Sequence, residues 1–305
     1  MDIIQKLARD VKGSLAGLEI LTDEPMSSHT SFRIGGAAAA FAIPKSAEEL
    51  HSLLGLLYAA GEEPLIIGNG TNLLVTDEPL ARFVIKIGDG LSHVERLGTS
   101  ICAGAGITTA RLAALAQREG LSGLEFAHGI PGTVGGAVLM NAGAYGGEMG
   151  GVVKSVEYLL PNGSAGTLEG EKLGFSYRHS VFDGSDKIIT SAVFELVEGD
   201  GTAILAKMEE LSEKRRASQP LDKPSAGSTF KRPKNGFAAA LIDEAGLKGV
   251  SVGGAGVSRK HAGFIVNNGG ATFADVMALM EHVSRAVYKN FGITLEPEVR
   301  IIRNI

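Results

Sequence analysis

Pro64-Leu65-Ile66-Ile67-Gly68-Asn69-Gly70-Thr71-Asn72-Leu73-Leu74-Val75 is the stretch on which the reading of this chain depends. One short apolar strand enters a turn of small residues and a second strand leaves it. Glycine presents no side chain, so backbone N–H groups in such a turn can approach a phosphate closely. A Rossmann fingerprint is excluded, because the third glycine and the following helix are both missing. An ordinary Asn-Gly turn is the competing reading at this point.

Working outward, apolar runs at 40–43, 64–67, 73–75 and 83–87 read as strands. Ser46-Ala47-Glu48-Glu49 is a capping box opening a helix with Leu50, Leu53, Leu54 and Leu57 on its buried stripe and Gly61 at its end. A second helix is expected over 108–119, with strands over 152–160 and 188–196. The N-terminal stretch reads as an amphipathic helix with Ile3, Ile4, Leu7 and Val11 on one face. After Glu198-Gly199-Asp200-Gly201 the style changes. A helix over 202–217 shows Ile204, Met208 and Leu211 on one face, and a Pro/Ser/Gly-rich segment follows at 219–228. Val276, Met280, Val283, Val287 and Phe291 keep helical spacing up to Gly292, and 294–302 alternates as a final strand. A domain boundary near residue 200 divides the chain into 1–199 and 200–305, in keeping with the usual 100–200 residues per domain.

The second glycine-rich element is Gly120-Leu121-Ser122-Gly123-Leu124-Glu125-Phe126-Ala127-His128-Gly129-Ile130-Pro131-Gly132-Thr133-Val134-Gly135-Gly136-Ala137, continuing through Asn141-Ala142-Gly143-Ala144-Tyr145-Gly146. A loop of that length inside a compact domain is functional or disordered. Regular apolar punctuation by Leu121, Leu124, Phe126, Ile130 and Val134 argues against disorder. Two uses remain for its small residues: closing around a flat ligand, or packing backbone on backbone.

Composition removes several function classes. Hydrophobic residues make up 44% and charged residues 21%, which excludes intrinsic disorder. A net charge of −5 disfavours non-specific nucleic-acid binding. Cys102 is the single cysteine, and the seven histidines form no ligand-spaced cluster, so neither a disulfide framework nor a protein-bound metal is expected. The uncharged stretch 129–147 is broken by glycines, Pro131 and Asn141, and so reads as no membrane span. The N-terminus is charged where a signal peptide needs an apolar run, and a cytoplasmic protein is expected.

Taken together, the two glycine turns resemble the FAD-binding domain of the UDP-N-acetylenolpyruvoylglucosamine reductase family. The likeness continues through Thr30-Ser31-Phe32-Arg33-Ile34-Gly35-Gly36, Tyr177-Arg178-His179-Ser180, Ser225-Ala226-Gly227-Ser228-Thr229-Phe230-Lys231 and Leu295-Glu296-Pro297-Glu298-Val299-Arg300. Six blocks in one order span nearly the whole chain. The resemblance implies an α+β protein: a vanillyl-alcohol-oxidase-type (PCMH-like) FAD-binding domain, then a smaller α+β substrate-binding domain whose final strand contributes to the active site. It assigns non-covalent FAD to Gly68, Asn69, Gly70, Thr71, Asn72, Gly129, Ile130, Pro131, Gly132, Thr133, Gly135, Gly136 and Ala137. His128 is the histidine to watch for a covalent tether, which related flavin folds use. The interval from Ser180 to Ser228 fits the branch without an extra tyrosine-bearing loop. Arg232 stands where asparagine is frequent and Gly256 where a larger residue is common, which puts fine substrate contacts in question.

The implied reaction reduces UDP-N-acetylglucosamine enolpyruvate to UDP-N-acetylmuramate with NADPH, in peptidoglycan precursor synthesis. Hydride would pass from flavin N5 to the terminal vinyl carbon, and negative charge would spread from the adjacent carbon into the carboxylate. A fixed cation best stabilises such charge in a dry site, and Arg178 suits the role with its planar fork. Ser228 resembles the family's proton donor, and Glu298 a third catalytic group. Read without the resemblance, these three are a surface arginine, a turn serine and a strand-edge charge. Lys231 would meet the substrate diphosphate, Tyr177 would shape the pocket, and His261 is either a substrate contact or a solvated charge. Two other functions stay open: a flavin oxidase of the same broad fold acting on an alcohol or sugar, and a non-catalytic flavin- or nucleotide-sugar-binding regulator. A monomer or weak oligomer is expected.

Overall fold

Helix α1 (Asp2–Ser14) forms where the N-terminal pattern requires it, but Ala8 and Val11 are its buried residues while Ile3 stays 83% exposed. The structure, a computed structural model, describes residues 2–234 and 236–304. Ser46 opens α2 (Ala47–Ala59), its Oγ accepting from Glu49 N–H at 3.2 Å. The glutamate's return bond goes to Lys45 N–H at 2.7 Å, one residue before the cap. Leu50, Leu53, Leu54 and Leu57 are all buried, each contributing about 1.5–3 kcal/mol, more than the cap's ~1 kcal/mol. Burial therefore holds α2, and the cap fixes where it starts.

The chain forms two compact units. One comprises Met1–Thr22, Ala39–Asn69 and Arg82–Arg215, and the other Asp23–Ala38, Gly70–Ala81 and Arg216–Ile305. A single cut at residue 200 does not describe them. Most of helix α5 (Gly201–Ser218), which lies beyond that cut, belongs with the first unit because Ile204 and Met208 are part of its core. Two early segments, 23–38 and 70–81, belong with the second.

Two larger sheets lie mainly in the first unit. Glu19–Leu21, Ala37–Ile43, Leu80–Lys86 and Leu65–Ile67 are neighbours in that order, the last pair parallel. Ala165–Glu169, Val153–Leu159, Ile188–Glu195, Ser100–Gly104 and Val94–Leu97 form an antiparallel sheet. Helix α3 (Thr109–Arg118) is capped by Thr108. The glycine tract is not one long loop. It contains helix α4 (Val134–Leu139), capped by Thr133, and a hairpin of Gly143–Ala144 with Gly147–Glu148. Burial of Val134 and Val138 overrides the poor helix propensity of Gly135 and Gly136. Helix α5 (Gly201–Ser218) ends the chain's passage through this unit.

The second unit packs α6 (Ala238–Glu244) and α7 (Phe273–Phe291) with a sheet of Ser251–Val252, Ala255–Val257 and Ile265–Asn267. Val276, Met280, Val283 and Val287 are buried, as their spacing requires, and Gly292 closes α7 at φ 66°. The expected final strand over 294–302 is shorter. Only Arg300–Ile302 is a strand, pairing in parallel with Leu73–Val75. Pro297 lacks the N–H that a continuous ladder needs, and the chain there bonds irregularly to the segment around Thr229. Among the described residues no helix is long and apolar enough to cross a membrane.

Candidate active site

Gly68, where the first glycine-rich turn begins, meets the second glycine-rich tract inside the first unit. A Cβ on Gly68 would lie 2.4 Å from Thr133 Oγ1, so only glycine lets the first turn rest on the residue that caps α4. Thr109 Oγ1 donates to Ile130 C=O at 2.5 Å, which fixes the second turn to the start of α3. Gly136 keeps an open face, because its Cβ would find only Thr133 Oγ1 at 3.7 Å. Gly135 is used differently: its N–H donates to Ala105 C=O at 2.8 Å, and its Cβ would crowd Ala105 at 3.0 Å. Both uses of small residues therefore coexist in one tract. Bare backbone converging from separate segments fits a flat dinucleotide cofactor, with Gly68, Asn69 and the residues from 129 to 137 as the candidates to hold it. His128 Nδ1 lies 3.3 Å from Ser212 Oγ on α5.

Arg178 sits in the same unit at the tip of a tight turn. Ser176 and His179 exchange both backbone bonds at 3.1 Å, leaving Tyr177 and Arg178 as the loop. Arg178 has φ 56°, left-handed for a non-glycine residue, and its guanidinium carbon lies 5.2 Å from the Tyr177 ring centroid. Such a conformation costs of order 1–3 kcal/mol and persists only where the surroundings impose it. Here they do so from both sides. Asn141 Nδ2 donates to Ser176 C=O at 2.9 Å, and Ser180 Oγ donates to Leu139 C=O at 2.8 Å. Sequence reading gave Asn141 and Ser180 no role in the site.

The segments that carry Ser228 and Glu298 are joined through backbone bonds in the second unit. Gly227, at φ 75°, turns the chain into Ser228. The next residue, Thr229, accepts from Glu298 N–H at 2.8 Å and receives Ile265 N–H on its Oγ1 at 3.0 Å. Glu298 is also gripped from the first glycine turn: Asn72 Nδ2 donates to its carbonyl at 3.0 Å, and Arg300 N–H returns to Asn72 C=O at 2.9 Å. The side chain of Asn72 is thus used to hold main chain, a role that the turn's composition does not reveal. Gly70 lies in the same unit, where its Cβ would strike His29 C=O at 2.0 Å, and Thr71 follows it.

Lys231 pairs with Glu296 at 2.5 Å while its N–H bonds Glu296 C=O. Its charge is therefore shared with an exposed carboxylate. His261 is held in a turn, with Nδ1 accepting Gly263 N–H at 3.1 Å and its ring edge-on to Phe264. Burial of the ring pushes its pKa below the usual value, and Lys248 adds to the lowering. The neutral ring suits the acceptor role that Nδ1 plays. Of the two departures noted in the sequence, Arg232 lies over Phe237 at 4.4 Å. Gly256 leaves room for Asn268, whose Nδ2 a Cβ would meet at 2.5 Å.

Comparison with known proteins finds two family models that match separate stretches of the chain. Residues 38–169 match the model of an FAD binding domain, and residues 219–302 match the UDP-N-acetylenolpyruvoylglucosamine reductase C-terminal domain. A protein of that name from Caldanaerobacter subterraneus subsp. tengcongensis is 47% identical over 93% of this chain and 94% of its own length. The chain belongs to the UDP-N-acetylenolpyruvoylglucosamine reductase family.

Another reductase of this name, from Agathobacter rectalis, is 46% identical over 98% of both chains. The crystal structure of the Thermus caldophilus reductase superposes with a TM-score of 0.80, at 36% identity over 94% of this chain and 99% of that one. Family, fold class and the expectation of FAD as cofactor therefore hold. As a member of this reductase family the chain is an FAD-dependent oxidoreductase with NADPH as its reductant.

Proposed function

We infer that this chain reduces UDP-N-acetylglucosamine enolpyruvate to UDP-N-acetylmuramate at the expense of NADPH, with Arg178, Ser228 and Glu298 as its catalytic residues. The observation that carries the residue-level reading is the left-handed Arg178 at a tip braced by Asn141 and Ser180. A costly conformation kept at an exposed turn argues that the guanidinium must point one way. FAD, once held by the glycine-rich turns, would supply the hydride chemistry that links NADPH to the vinyl carbon of the substrate.

Arg178 holds the substrate carboxylate through two parallel bonds, and so stabilises the charge that grows there during reduction. Ser228 Oγ gives its proton to the carbon next to the carboxylate; serine is a weak acid, so transfer waits until that carbon carries charge. Glu298, its backbone tied at N–H and C=O, is positioned as a neutral donor or a proton relay beside Ser228. Lys231 serves the diphosphate once Glu296 yields it, and Tyr177 lines the approach. Gly68, Asn69 and the residues from 129 to 137 would hold FAD without a covalent bond. The protein works in the cytoplasm as a monomer or weak oligomer. Site-directed changes at Arg178, Ser228 and Glu298, read separately in the NADPH and enolpyruvyl half-reactions, test the assignment. Loss confined to the enolpyruvyl half-reaction supports it, and an unchanged half-reaction removes the residue concerned.

A further inference from the structure

We propose that Asn141 is a positioning residue for Arg178. The inference rests on the reading that Arg178 holds the substrate carboxylate, and it adds the part that aims the guanidinium. Ala142 N–H donates to Ala137 C=O and Asn141 N–H to Val138 C=O, at 2.8 and 3.1 Å, the paired bonds of a Schellman motif. That motif puts its C′ residue in the left-handed region, and Asn141 has φ 43°.

Glycine is the residue that this position prefers. The chain supplies it elsewhere: Gly61 after α2, Gly120 after α3, Gly246 after α6 and Gly292 after α7 all have φ between 66° and 72°. Within a tract otherwise rich in glycine, α4 alone among these five helices ends in a residue with a long polar side chain. That side chain is 0% exposed. Backbone geometry therefore does not explain the asparagine; its amide does.

Both ends of the amide are used. Nδ2 donates to Ser176 C=O at 2.9 Å, and Oδ1 accepts Gly150 N–H at 2.8 Å. Ser176 is the residue whose two bonds with His179 close the loop carrying Tyr177 and Arg178. One buried amide thus ties the end of α4, the 149–151 turn and the base of the arginine loop together. Ser180 fastens the other side of the loop to Leu139, the last residue of α4. With both feet of the loop fixed to one short helix, Arg178 has little freedom to lower its strain by swinging away. A bidentate grip on a carboxylate needs that restraint, because small misplacement of a positioned group costs about 10²-fold in rate.

The test uses the flavin-loaded enzyme and follows its two half-reactions by flavin absorbance. Asn141→Asp keeps the acceptor for Gly150 N–H but sets an oxygen against the Ser176 carbonyl. Asn141→Gly removes both bonds while giving the helix end its preferred residue, so it guards against a folding defect. Expected in both variants are near wild-type reduction by NADPH and reoxidation by the enolpyruvyl substrate slowed by about 10–10²-fold. In an Arg178→Ala background the same changes should cost less than about twofold, since a residue acting through Arg178 has nothing left to position. Full-rate reoxidation in Asn141→Gly would overturn the proposal. So would a loss that persists undiminished without Arg178, or equal slowing of both half-reactions. Should Arg178→Ala itself leave reoxidation unchanged, the reading of Arg178 fails first, and that outcome is distinct from the others.

Discussion

Asn72 Nδ2 donates to the main-chain carbonyl of Glu298 at 3.0 Å, across 226 positions of sequence. The first glycine turn therefore does more than offer bare backbone: it clamps the segment that carries a candidate catalytic carboxylate. Arg300 N–H closes the clamp on Asn72 C=O. The expectation for Asn72→Ala follows. A buried or half-buried carbonyl left unsatisfied costs about 1–3 kcal/mol, and Glu298 loses one of its fixed points. Thermal unfolding should move down, and reoxidation of flavin by the enolpyruvyl substrate should slow more than reduction by NADPH. Equal slowing of both would give Asn72 a purely structural role.

Arg178→Lys keeps the charge and loses the fork. Removal of one preorganised donor costs roughly 10²–10³ in turnover where developing negative charge is stabilised. Turnover at saturating substrate should fall by about that factor in the lysine variant. A near-normal value would take Arg178 out of the site.

Ser228→Ala separates the half-reactions. A proton donor to the substrate carbon has no part in the reduction of FAD by NADPH, so that rate should stay near wild type. Reoxidation by substrate should slow by about 10²–10⁴, the usual range for general acid catalysis. Cysteine at the position should restore part of the loss. A defect in the NADPH step alone would assign Ser228 to nicotinamide binding.

Glu298→Gln and Glu298→Ala are to be compared in the same assay. A neutral donor role leaves glutamine more active than alanine. A role in proton transfer leaves both nearly dead, and wild-type rates in both reject catalysis by this residue.

The burial of His261 should give stability a pH dependence of definite sign. Its pKa is lowered in the folded protein, first by burial and then by Lys248. The unfolded chain therefore binds a proton at a pH where the folded one does not. The associated stability is intact above the ordinary histidine value of about 6.5 and is lost as pH falls from there through the lower folded value. Replacement by glutamine should flatten that part of the fall, measured as wild type minus variant in thermal unfolding between neutral and mildly acidic pH. A steeper fall in the variant would contradict the direction.

Much of this architecture was legible because local signals agreed with burial. The Ser46 cap and its leucine stripe, the Thr108 start of α3 and the spacing of Val276, Met280, Val283 and Val287 each mark their helix by a pattern that packing then uses. Long-range effects were less visible. Nothing local shows that 23–38 and 70–81 would join a unit built mostly from the C-terminal third, or that Ile204 would join the core of the other. Alternation over 294–302 looked like a strand, yet Pro297 and the bonds to Thr229 and Lys231 hold it irregular until Arg300. Among the candidate site residues, Arg178, Ser228 and Glu298 were named through motif resemblance. The amides that brace two of them, Asn141 and Asn72, looked like ordinary members of small-residue turns. One signal was present for Asn141: a helix end without its glycine.

The most direct measurement is NADPH oxidation by the purified, flavin-loaded protein, with UDP-N-acetylglucosamine enolpyruvate as acceptor and UDP-N-acetylglucosamine as control, under exclusion of oxygen. The account predicts one NADPH consumed for each enolpyruvyl ether reduced to the lactyl ether, and none with the control sugar. NADPH oxidation no faster with the enolpyruvyl sugar than with the control would contradict it, and rapid reoxidation of the flavin once oxygen is admitted would then favour an oxidase.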